Sequence, residues 1–216
     1  MWSVLQEETM KREEKNALSR QRILEAAREE FSKRGYEGAS LNTVCSEKGI
    51  SKGIIYHYFK DKDELYLLCV KECFDSLTEA LSQTADALTG SAKEKLQSYF
   101  SARLRFFAEH PQFLGIFADA AFNPPPHLTR EITALRQPFD ELTISVLTGL
   151  LESAPLRKGL SVSLIVEDFR MYMDFFNMRF QADSGTEHTM DELLQKHEER
   201  CQRQLDILLY GVIGEE

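Results

Sequence analysis

Apolar residues recur every three or four positions along almost the whole of this 216-residue chain, and no stretch alternates residue by residue as a half-buried strand does. That property restricts the fold to packed helices, because a period near 3.6 buries one stripe of a helix but would scatter the same side chains over both faces of a sheet. The expected fold class is all-α, with about nine helices. Ile23, Ala27 and Phe31 give a first helix over 17–34, which Gly35 ends. Two short helices follow over 41–48 and 52–59. Asp61 with Glu64, and Ser91 with Glu94, mark the capped starts of two long helices. Pro111 and the run Pro124-Pro125-Pro126 bracket a short apolar helix, and Pro138 predicts a kink or break within 127–153. The last two helices span 161–182 and 188–213; the first is apolar nearly all the way round and calls for cover on several faces.

Residues 49–53, GISKG, match Gly-x-Ser-x-Gly, the pattern around the nucleophilic serine of many esterases. That elbow needs a Val/Ile-rich strand leading into it. The preceding LNTVCSEK is mostly polar, with Leu41, Val44 and Cys45 on one helical stripe, so Ser51 is expected to be a turn residue. Gly49 suits a helix C-terminus, Ile50 plugs the turn, and Ser51 is placed to start the next helix. No His with a supporting acid completes an acyl-transfer site, and no enzyme is expected.

Helix, tight glycine turn, helix is the helix-turn-helix unit, whose last helix fits the major groove of DNA. Lys52, Tyr56 and His57 are the polar groups such a helix presents, while Ile55 and Phe59 face the core. Gly53 lets backbone approach a phosphate, and Ser51, Ser40 and Thr43 flank the groove. Lys60 and Lys62 stand by the start of the next helix, where backbone amides attract phosphate. Net charge is −9, yet 15–62 holds ten Lys and Arg against six Asp and Glu, whereas 63–216 holds fourteen against twenty-five. A basic head on an acidic body orients the head toward a duplex. The predicted division is a charged N-terminal extension (1–16), a DNA-binding head (17–62) and a ligand-binding and dimerisation body (63–216).

The stretch from Arg22 to Leu65 resembles the TetR family of bacterial regulators. Ile23-Leu24, Ala26-Ala27, Phe31, Gly35-Tyr36, Gly49-Ile50-Ser51-Lys52-Gly53, Tyr56-His57-Tyr58-Phe59 and Lys62-Asp63-Glu64-Leu65 all fall in its register. Cys45 and Ile54 depart from it; Ile54 replaces a small or polar residue and suggests contact with a thymine methyl. The resemblance implies a homodimer joined by the last two helices, a divergent body and an operator with two-fold symmetry. The predicted function is therefore a ligand-released repressor, and the rival is an all-α interaction module without DNA function.

The body is dense in residues that line pockets: Phe106, Phe113, Phe117 and Phe122 in one region, and Met171, Tyr172, Phe175 and Phe176 in another. These are the candidate effector contacts, although such stripes also build ordinary cores. The expected effector is a small, largely apolar organic molecule. No clustered metal ligands or phosphate-cradling glycines stand there, and neither metal nor cofactor is expected. Cys69 and Cys73, one helical turn apart, read as buried thiols. With no signal-like or membrane-length apolar run, the expected location is the cytoplasm.

Overall fold

The structure is a computed structural model. It describes the backbone of residues 2–47 and 49–183 together with Lys196, Glu199, Arg200, Arg203, Gln204 and Ile207, and side chains over 14–172 apart from those of Glu47, Lys48 and Lys93. Among the described residues the chain is all-α with no strand: α1 (Trp2–Gly38), α2 (Leu41–Glu47), α3 (Lys52–Tyr58), α4 (Lys62–Asp86), α5 (Ala92–Glu109), α6 (Pro111–Phe122), α7 (Thr129–Glu152) and α8 (Val162–Asp183), with one 3-10 turn, Pro126–Leu128, leading into α7. The helix expected over 188–213 lies outside the described residues, apart from the few named above.

The caps read from sequence are made. Asp61 accepts a hydrogen bond from the Glu64 amide at 2.9 Å, and the Glu64 carboxylate reaches back to the Lys60 amide at 2.6 Å. At α5, Ser91 and Glu94 satisfy one another's amides in a full capping box. Such caps are each worth about 1 kcal/mol. Two elements differ from expectation. Helix α1 begins at Trp2 rather than at residue 17, because nothing in 2–16 breaks a helix, and the Tyr58 hydroxyl donates to Asn16 within that stretch. Pro138 does not interrupt α7. It stands exposed on the helix, and the tertiary packing of Ile132, Phe139, Leu147, Leu150 and Leu151 holds the segment helical on either side of it.

Helix α4 is the spine. It packs against α1, α5, α6 and α7, and buries Leu65, Tyr66, Cys69, Val70, Cys73, Phe74, Leu77 and Leu81 at three-to-four spacing. Burial pushes the Cys69 thiol up to about 12 and the Cys73 thiol higher still. Both remain thiols at neutral pH, and Cys73 donates weakly to the Phe113 carbonyl. Helix α1 lies against α6 at Gly115, where an added Cβ would stand 2.1 Å from the Ser32 carbonyl oxygen. Only glycine permits that approach.

Candidate functional site

The turn between α2 and α3 forms as its sequence requires. Gly49 takes φ +64°, and the Ile50 amide donates to the Cys45 carbonyl at 2.8 Å, the six-to-one bond of a Schellman termination. Ile50 packs against the core. Ser51 stands in extended conformation at the N-cap of α3, but its hydroxyl caps nothing; its carbonyl accepts from the Ile54 and Ile55 amides. A helix precedes it and not a strand, so the esterase elbow is absent.

Helix α3 is short and two-faced. Ile55 and the following Phe59 are buried, and the Arg20 guanidinium lies 5.2 Å from the Phe59 ring centroid. Lys52, Gly53, Tyr56 and His57 face outward together, Tyr56 at 58% exposure and Ile54 beside it at 44%. A Cβ on Gly53 would meet nothing within 4 Å, so the backbone there is open to a partner. The other expected contacts are less free. Ser40 caps α2, its hydroxyl accepting from the Asn42 amide at 3.2 Å, and its own amide donates to Glu30 at 3.0 Å. Glu30 is 2% exposed and also pairs with Arg34 at 3.5 Å, so a buried carboxylate sets the angle between α1 and α2. Thr43 is half-buried. Lys60 is exposed and 3.7 Å from Asp61, whereas the Lys62 ammonium lies 4.4 Å from the Tyr36 ring centroid.

A second cluster, which sequence reading missed, joins the head to the body. Asp119 of α6 is 7% exposed and accepts from the Tyr36 amide at 2.8 Å and the Tyr66 hydroxyl at 2.6 Å. Burial raises the Asp119 carboxyl above its ordinary value, opposed by those two hydrogen bonds. Burial also raises Tyr66, with the Asp119 charge adding to it. Gly35 turns the chain at φ +63°, and a Cβ there would stand 2.5 Å from Asp119 Oδ1. The positive φ and the carboxylate both demand glycine. The Tyr36 hydroxyl donates to Asp63, and His127, just after the proline run, lies 3.3 Å from both that hydroxyl and Asp63 Oδ2. The Tyr36 bond is the main cause holding Asp63 below its ordinary value. Gly35-Tyr36 was visible as a motif; its partner Asp119, more than eighty residues away, was not.

The body encloses a cavity of about 620 Å³ between α5, α6, α7 and α8. Phe117 and Phe122, both expected effector contacts, line it. Phe106 and Phe113 do not: their rings stack on one another at 6.0 Å, beside His110, in the neighbouring core. Met171 is 58% exposed and Tyr172 half-buried, neither in the lining, and the side chains of Phe175 and Phe176 lie outside those described. The lining adds residues sequence reading did not select, notably Phe100, Phe139 and Phe169, and the guanidiniums of Arg103, Arg130, Arg136 and Arg170. A faint signal existed in Arg170, one of two arginines within the largely apolar run 161–180. Among the described residues no group of His, Cys, Asp and Glu could hold a metal ion.

The α2–α3 pair has the build of a helix-turn-helix, and it is fixed on a helical body that holds a cavity. Residues 23–69 match the family described as bacterial regulatory proteins, tetR family. The chain is 42% identical over 65 residues to the HTH-type transcriptional repressor AcnR of Corynebacterium efficiens, a match that spans 30% of this chain and 35% of that protein. The fold matches the TetR family transcriptional regulator PfmR of Thermus thermophilus at a TM-score of 0.59 and 23% identity, over 88% of this chain and 95% of that one. It also matches the transcriptional regulator FadR of Bacillus subtilis, solved in complex with stearoyl-CoA, at 0.59 and 20%, over 83% and 95%. Residues 23–69 thus carry a head that matches the tetR family, and the chain shares its fold with both of those solved regulators.

Proposed function

We propose that this protein is a DNA-binding transcriptional repressor that sits as a homodimer on a palindromic operator and leaves it when a small organic effector fills the body cavity. The observation that carries the reading is α3, where Lys52, Tyr56 and His57 project from a helix seated on Ile55 and Phe59. A helix held from one side and polar on the other is what a major groove accepts. Ser51, Gly53, Lys60 and Lys62 supply phosphate contacts around it, with Ser40 and Thr43 shaping the edge. Ile54 adds an apolar contact suited to a thymine methyl.

Dimerisation is assigned to 161–182 and 188–213. Leu164 and Met171, two helical turns apart on α8, are both exposed, a stripe that a second subunit would cover. The cavity volume falls in the range of small-molecule sites, about 300–1,000 Å³. Among the described residues no helix is long and apolar enough to cross a membrane, and a chromosome-bound role places the protein in the cytoplasm.

Gel-shift titration against DNA flanking its own gene tests the reading. Binding should weaken as salt rises, and His57→Ala should change the preference between operator variants by ~1–3 kcal/mol. Equal affinity for that DNA and for unrelated DNA at every salt concentration would sink it. Leu205 and Leu208 lie outside the described residues; replacing either by Asp should give a chain without specific binding.

A further inference from the structure

The cavity has two chemically different sides. Its inner wall is aromatic: Phe100, Phe117, Phe122, Phe139 and Phe169 are all buried, and Phe117 touches the rings of Phe122 at 6.0 Å and Phe139 at 5.9 Å. Its outer edge is polar and open to water, with Arg130, Gln137, Glu141 and Arg170 exposed along it. A ligand that fits must be amphiphilic, since an apolar end would bury the phenyl rings and a polar end would stay at the edge.

Charge decides what the polar end is. Four guanidiniums line the cavity against the two carboxylates of Asp140 and Glu141, an excess of positive charge. Arg136 Nε lies 2.8 Å from Asp140, so those two charges offset one another. Residues 63–216 as a whole hold fourteen basic residues against twenty-five acidic, so the lining's positive excess runs against the balance of the body. Arg130 lies in the first turn of α7, where the partial positive charge of the helix end adds to its own. Arg103 is 4% exposed with its guanidinium 4.9 Å from the Phe100 ring centroid.

We infer that the effector is an amphiphilic anion, a carboxylate or phosphate head on an apolar chain. The head is held at the open edge by Arg130 and Arg170, and the chain lies on the phenyl wall. Planar guanidiniums bind both oxyanions in bidentate, charge-assisted geometry, whereas a neutral hydroxyl accepts at most a weaker single bond and a cationic head is repelled. The inference rests on the proposed reading of the cavity as the effector site.

Calorimetric titration of the full chain with dodecanoate, dodecyl phosphate, lauroyl-CoA, dodecanol and dodecyltrimethylammonium, each below its micellar concentration, reads the site directly. At least one of the three anions should bind about tenfold or more tighter than dodecanol, and which of them does so identifies a free acid, a phosphate ester or a thioester as the source. The double variant Arg130→Gln, Arg170→Gln, both on exposed positions, should lose that advantage while changing dodecanol binding by no more than about twofold. Dodecanol or the ammonium binding as tightly as every anion, an advantage untouched by the double variant, or no binding by any probe, overturns the inference. The same probes in the gel shift separate the two claims. Arginine-dependent anion binding that leaves the DNA complex intact keeps the anion site and sinks the effector reading. Release of DNA by dodecanol alone does the reverse.

Discussion

The head and the body both consist of amphipathic helices, yet they place their polar groups in opposite ways. The head buries Ile55, Phe59 and Val44 beneath short helices and turns its cations outward, onto the face of α3. The body lines a cavity with guanidiniums, Arg103 buried in a wall of phenyl rings and Arg130 and Arg170 at the open edge. A reading surface for DNA needs its charges in water, free to meet phosphates that arrive with the duplex. A ligand cavity needs few charges, fixed and partly desolvated, because the same charge acts more strongly there. Between the two, the joint of Gly35, Gly115, Asp119 and Tyr66 packs buried polar groups against backbone and fixes α1 and α4 against α6.

Breaking that joint should have the largest effect. Gly115→Val drives a side chain into the Ser32 carbonyl, and overpacking of this kind costs about 3 kcal/mol or more. Urea unfolding followed by circular dichroism measures it, and a variant as stable as the parent would mean that α1 and α6 do not meet so closely. Asp119→Ala comes next, leaving the Tyr36 amide and Tyr66 hydroxyl unpartnered at a cost of ~1–3 kcal/mol. Asp119→Asn keeps one acceptor oxygen and should cost less. Equal losses for the two substitutions would argue that packing, and not hydrogen bonding, makes the joint.

The joint also predicts opposed pH dependences. Asp119 is raised above 3.8 by burial, so the folded chain holds its proton more tightly than the unfolded chain. Its contribution is complete below pH 3.8 and is lost as pH rises through the raised folded value. The parent should therefore lose ground to Asp119→Asn over that rise. Asp63 is lowered, chiefly by its bond from Tyr36, so its contribution is present above pH 3.8 and lost as pH falls through the lowered value. Replacing Asp63 by Asn should remove that acid-side loss, as denaturant midpoints across a pH series would reveal. The smallest effect separates two lysines of the head. Lys52→Ala should lower the slope of log affinity against log salt by about one unit, since its charge faces outward. Lys62 lies over the Tyr36 ring, and Lys62→Ala should lower the slope by less. Equal slopes would show that Lys62 leaves that ring on binding DNA.

The amino-acid sequence by itself determined what depends on near neighbours. The Cys45–Ile50 turn, the Asp61 and Ser91 caps and the outward set on α3 each follow from residues within about one or two helical turns, where spacing alone decides which side chains meet. Tertiary structure decided the rest, because its causes are distant in the chain. Helix α1 accommodates the approach of α6 at Gly115, Pro138 stays helical under packing from both sides, and Asp119 finds Tyr36 and Tyr66 from another region of the sequence. Phe106 and Phe117 look alike in sequence, yet one pairs with Phe113 in the core and the other lines the cavity. A phenyl ring has the same helical spacing and hydrophobicity in both places; whether it is closed in on all sides or left facing an open space is settled by which helices converge around it.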